Sequence, residues 1–73
     1  MKVFPNLRVE MARKNIKILD LADKTGIGYQ TLTLKLKGDS DFKLSEAIAV
    51  KVALESKLTL EELFSDTLIE AYR

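Results

Sequence analysis

Asp20 to Gly38 reads DLADKTGIGYQTLTLKLKG, and this stretch constrains the fold most. It holds two short helical patterns separated by Thr25-Gly26-Ile27-Gly28. In the first, Leu21, Ala22 and Thr25 share one face; in the second, Leu32 and Leu36 do. Gly26 stands where a helix wants a left-handed residue after its last turn, a conformation that glycine adopts cheaply. Ile27 is an apolar residue inside a tight turn, as expected of a plug between two helices. Gly38 stops the second helix as Gly26 stops the first. A helix, a glycine turn and a second helix with a polar outer face predict a helix-turn-helix unit.

The rest of the chain leaves room for little else. Its 73 residues allow one small domain, read here as a core over residues 6–65 with a tail over 66–73. There is no cysteine and no histidine. Disulfides and thiolate metal sites are therefore excluded, and the commonest general base and metal ligand are missing. No apolar run approaches the roughly 18 residues of a membrane span, and the N-terminus lacks a signal-peptide pattern, so a cytoplasmic location is expected. The net charge is only +1, but it is unevenly spread. Residues 1–43 hold nine Lys/Arg against five Asp/Glu (+4), and residues 44–73 hold three against six (−3). One basic face toward phosphate and an acidic side away from it would give this asymmetry.

Five helices are expected in all. Met1 to Phe4 is a lead-in. Pro5 opens the first helix with Asn6 as an acceptable N-cap, Leu7 and Met11 point inward, and Asn15 takes the left-handed stop. The second helix covers Ile18 to Thr25 behind Lys17, a poor cap because its ammonium cannot accept a bond from free amides. The third covers Tyr29 to Lys37. Phe42, alone in a polar turn, should fold back onto the core. The fourth covers Leu44 to Leu54, with Leu44, Ala47, Ile48, Val50 and Leu54 as a broad apolar side. The fifth starts at a Thr59-x-x-Glu62 capping box flanked by Leu58 and Leu63. Leu68, Ile69 and Tyr72 then recur at helical spacing, predicting a helical tail. There is no strand alternation, repeat or low-complexity segment.

Leu21-Ala22-x-Lys24-x-Gly26, Ile27, Thr31-Leu32 and Lys35-Leu36-x-Gly38 resemble the lambda-repressor-like and Cro-like helix-turn-helix regulators of phages and bacteria. Phe42, Glu46-Ala47-Ile48 and the Leu58-to-Phe64 run, LTLEELF, extend the resemblance to the fourth and fifth helices. The resemblance implies an all-α, five-helix DNA-binding domain. Many members pair an Arg of helix one with a Glu near the end of helix three. The matching positions here are Met11 and Leu36, which implies an apolar contact in place of an ion pair.

A helical projection at about 100° per residue puts Tyr29, Gln30, Thr33, Leu34 and Lys37 on one side of helix three and residues 32, 35 and 36 on the other. Gln can bond an adenine edge in two places, Thr and Leu can touch a thymine methyl, and Tyr can do either. Tyr29, Gln30, Thr33 and Leu34 are therefore the candidate base readers; the plainer alternative is a solvated helix face. Gly28 reads first as a turn glycine, but the free amides after it also suit a phosphate oxygen. The resemblance further implies backbone contacts near Lys17, Lys37 and Lys43, with Lys24, Arg8, Arg13 and Lys14 as additional cations. Asp39 and Asp41 lack the ligand series of a calcium loop, and no nucleophile–base pair or phosphate loop exists.

The reading is a sequence-specific transcriptional regulator, a repressor of phage or prophage type, with double-stranded DNA as partner and no catalytic activity, cofactor, metal or small-molecule ligand. The resemblance implies a homodimer. Leu68, Ile69 and Tyr72 are candidates for its contact, though they could equally close the monomer's core. The alternative is a protein-interaction module on the same fold, an antitoxin or adaptor working through exposed Leu19 and Leu34.

Overall fold

The computed structural model describes residues 4–72. The expected lead-in over residues 1–3 and the terminal Arg73 lie outside the described residues. Five α-helices follow in order: α1 (Pro5–Arg13), α2 (Ile18–Thr25), α3 (Tyr29–Leu36), α4 (Leu44–Leu54) and α5 (Leu60–Leu63), with a 3-10 turn over Glu70–Tyr72. No strand occurs among the described residues. α2 packs on α3 and α4, while α5 joins α4 to α1.

Leu7, Leu21, Leu32, Val50, Leu54 and Leu63 are fully or almost fully buried and bring all five helices into one core. Met11 and Leu36 are both buried in that cluster. Phe42 does fold back. It meets Phe64 and Phe4 edge-to-face, with ring centroids 5.0 and 5.6 Å apart, an arrangement favoured by the ring quadrupoles.

Pro5 occupies the first position of α1, where its missing N–H costs nothing. Asn6 is not the cap. It lies inside the helix, fully buried, and its side chain reaches across the fold. Its amide nitrogen donates to the Glu62 and Thr67 carbonyls at 2.6 and 3.0 Å, and its oxygen accepts from the Ile69 N–H at 2.9 Å. Asn15 takes the left-handed stop (φ 53°), and Glu55 does the same after α4 (φ 51°). The weak cap at Lys17 is compensated from the other side. The Asp20 carboxylate accepts the Lys17 N–H at 3.0 Å, and Glu46 serves Lys43 at 2.9 Å. These are half capping boxes, since no Lys side chain can accept the return bond.

At α5 the box is complete. Thr59 Oγ1 accepts from the Glu62 N–H at 3.1 Å, and Glu62 Oε1 accepts from the Thr59 N–H at 3.0 Å. Thr59→Ala is expected to lower stability by about 1 kcal/mol. An unchanged thermal midpoint would show that this four-residue helix does not depend on its cap.

α4 departs from expectation. Ala47, Val50 and Leu54 are buried, but Leu44 (70 %) and Ile48 (45 %) are open to solvent, as is Val52 (69 %), which lay outside the expected apolar side. The helix is apolar nearly all round, so its residue pattern alone could not choose the buried side.

Candidate nucleic-acid interface

The turn between α2 and α3 is built as the glycine pattern demands. Gly26 has φ +78°, which a side chain would strain. Its N–H closes α2 on the Ala22 carbonyl at 2.9 Å. The Thr25 hydroxyl donates to the Leu21 carbonyl and accepts from the Ile27 N–H. Ile27 is half-buried against the core, as expected of a plug. Gly28 is different. Its φ is −56°, and a Cβ there would come no closer than 3.8 Å to anything, at Thr31 Oγ1. The turn does not need a glycine at this position, which corrects the turn-glycine reading and leaves the start of α3 open to solvent.

α3 is fixed from beneath by a polar link that periodicity did not disclose. Lys35 lies on the inward side and is 6 % exposed. Its Nζ contacts Glu46 Oε1 at 2.9 Å and donates to the Asp41 carbonyl at 2.8 Å. Hydrogen bonding from Lys35, then from the Lys43 N–H, holds the Glu46 carboxyl below its ordinary range. The end of α3 is thereby tied to the start of α4 across the intervening loop. Arg8 adds a longer bond, 3.5 Å, to the Leu36 carbonyl.

With its inner side held, α3 turns Tyr29, Gln30, Thr33 and Leu34 outward, and these four residues together line a shallow hollow. Tyr29 and Leu34 are about half exposed, at 49 % and 48 %. Thr33 Oγ1 donates to the Tyr29 carbonyl at 2.8 Å, so its hydroxyl proton is already committed to the helix.

The basic half of the chain divides into two groups. Arg13 contacts Tyr72 and Glu10, and Lys14 donates to the Glu55 carbonyl at 3.0 Å. Arg8 and Lys35 likewise bond within the fold, so these cations serve helix ends and the tail. Lys17, Lys24, Lys37 and Lys43 are exposed and form no ion pair among the described residues. Three of them sit at helix ends: Lys17 before α2, Lys37 after α3 and Lys43 before α4.

The tail is tied to its own chain. Besides the Asn6 bonds at Thr67 and Ile69, the Tyr72 hydroxyl donates to Glu10 Oε2 at 2.5 Å. Leu68, Ile69 and Tyr72 are each half-buried. Glu10, Asn6 and Ser56 are buried polar residues that sequence reasoning missed, and Lys35, read as inward, has a polar partner it did not foresee. The one available signal was an acid or amide standing inside an otherwise apolar helical row.

The chain matches the Cro/C1-type HTH DNA-binding domain over residues 6–67. It belongs to that family. Membership makes this Cro/C1-type chain a DNA-binding transcription regulator and accounts for the all-helical fold around α2 and α3. No curated protein and no solved structure matches it. Among the described residues, no helix is long and apolar enough to cross a membrane.

Proposed function

We propose that this chain is a sequence-specific repressor of phage or prophage type, acting in the cytoplasm as a two-fold dimer without catalysis. The observation that carries the reading is the outward hollow of α3. Four side chains suited to base edges share it, and the adjoining Lys37 is unpaired. In the major groove, Gln30 supplies the bidentate contact to adenine, while Leu34 and the Thr33 methyl meet thymine methyls. Tyr29 flanks them. Lys17, Lys37 and Lys43, with the free amides at Gly28, hold phosphates and set the register.

Base reading and backbone binding leave different signatures. Gln30→Ala should weaken the preferred site on the order of tenfold and relax the choice at one base pair. Lys37→Ala should weaken all sequences alike and lower the salt slope by about one. Selection from random duplexes, followed by salt titrations of both variants, tests this. Identical behaviour on every sequence would remove α3 as the reader. Absence of any retention at low salt would favour the adaptor reading, for which Leu19 (67 % exposed) and Leu34 would be the contacts.

A further inference from the structure

We propose that Lys35 and Glu46 are positioning residues for DNA recognition, and that their ion pair fixes Lys43 relative to the base-reading face of α3; this role rests on α3 reading DNA as described above. Lys35 stands on the inner side of α3 with Leu32 and Leu36, 6 % exposed, where an apolar residue would pack as well. Taking an ammonium out of water is costly, and a buried ion pair seldom gains stability over apolar residues of similar size. What the ammonium adds is direction. Its Nζ donates to the Asp41 carbonyl at 2.8 Å and contacts Glu46 Oε1 at 2.9 Å. The same Glu46 oxygen accepts the Lys43 N–H at 2.9 Å. One carboxylate oxygen thus joins the last turn of α3 to the residue before α4.

The ties at Asp41 and Lys43 flank Phe42. Its ring packs on Phe4 and Phe64, which sets how deep the loop between α3 and α4 lies. Apolar burial is non-directional and leaves the backbone on either side of the ring free to swing. Hydrogen bonds weaken steeply with angle, so bonds at Asp41 and Lys43 remove that freedom. Lys43 is exposed and forms no ion pair among the described residues. Tyr29, Gln30, Thr33 and Leu34 face outward, on the side of α3 opposite Lys35. The pair therefore touches neither base nor phosphate and acts through the residues it holds. Phosphate contacts set the register in which base contacts read sequence. A Lys43 held in place lets its phosphate contact and the Gln30 base contact form together. Without the pair, the loop must be ordered at the moment of binding, a cost that falls on the specific complex. Non-specific binding accepts Lys43 in many positions and is spared that cost.

The test removes the pair without opening a hole. Lys35→Met combined with Glu46→Gln keeps the packed volume and the bond that position 46 accepts from the Lys43 N–H. The thermal midpoint of this double variant is expected to stay within a few degrees of the parent. On a duplex selected by the parent, its affinity should fall on the order of tenfold, the worth of one good base contact. A scrambled duplex should be bound as before. Lys43→Ala should weaken the parent on the selected duplex but cost the double variant little further, because the two changes act through one contact. Lys35→Met alone takes the place of the double variant if that one melts far below the parent. Parent-like affinity for the selected duplex in a folded variant would overturn the proposal. So would equal losses on both duplexes, or a loss from Lys43→Ala that simply adds to that of the pair. A parent that selects no duplex would remove the α3 reading itself, and the positioning role with it.

Discussion

Asn6→Ala is expected to lower stability by about 3 kcal/mol, the largest loss among the substitutions considered. The side chain is fully buried and makes three bonds to backbone groups 56 to 63 residues away. Each hydrogen bond is worth about 0.5–1.5 kcal/mol net, and a desolvated group left without a partner costs about 1–3 kcal/mol. Two carbonyls and one N–H would lose their partner together, although water can reach some of them. A domain this small is stable by about 4–11 kcal/mol at the usual stability per residue. About 3 kcal/mol would therefore lower the thermal midpoint by roughly 12–24 °C. Thermal circular dichroism measures the loss, and amide exchange at Ile69 should report the tail loosening first. Asn6→Asp should be no better, since it keeps the acceptor for Ile69 but turns a carboxylate toward two carbonyls. A midpoint for Asn6→Ala within a few degrees of the parent would show that this clamp holds nothing the core does not hold already.

Asn6 also marks where the sequence stopped being legible. Local signals read well. Gly26, Asn15 and the Thr59 box end or begin helices as their conformational preferences require, and α2 and α4 fall on the expected residues. Periodicity correctly placed Tyr29, Gln30, Thr33 and Leu34 on one outward face. It failed where the deciding partner is distant along the chain. Asn6 looked like a cap because caps are local, whereas its actual partners lie beyond residue 61. Lys35 was read as inward by angle, but only the fold brings Glu46 beside it. On α4 nearly every position is apolar, so Leu44 and Ile48 were assigned to the core that Val50 and Leu54 occupy.

Glu10→Ala is the second large loss expected, about 2–3 kcal/mol near neutral pH. Glu10 Oε1 accepts from Ser56 Oγ at 2.6 Å, and Oε2 accepts from the Tyr72 hydroxyl at 2.5 Å, with Arg13 Nη1 at 3.7 Å. Hydrogen bonds to a charged group are worth about 1.5–3 kcal/mol each, and partial access of water reduces their sum here. The same contacts give stability a pH dependence. Burial pushes the Glu10 carboxyl up, but the bonds from Ser56 and Tyr72, with Lys14 and Arg13 nearby, outweigh it and leave the group below its ordinary value. A carboxyl lowered in the folded state stabilises the fold above its unfolded pKa of about 4.3 and loses that contribution as pH falls through the folded value. Tyr72 behaves in the opposite sense. Its hydrogen bond to Glu10, then burial, raises it above its ordinary value, so its contribution is complete below about 10 and is lost as pH rises through the folded value. The latch is therefore complete only while the acid is ionised and the phenol is not. Glu10→Gln should flatten the acid limb of the stability curve, leaving Glu46 as the other lowered carboxyl. Tyr72→Phe should flatten the alkaline limb and release the tail without disturbing Ser56. Denaturant midpoints from pH 3 to 11 separate these effects. An acid limb as steep in Glu10→Gln as in the parent would mean that another group drives acid unfolding and that the Glu10 carboxylate only fills space.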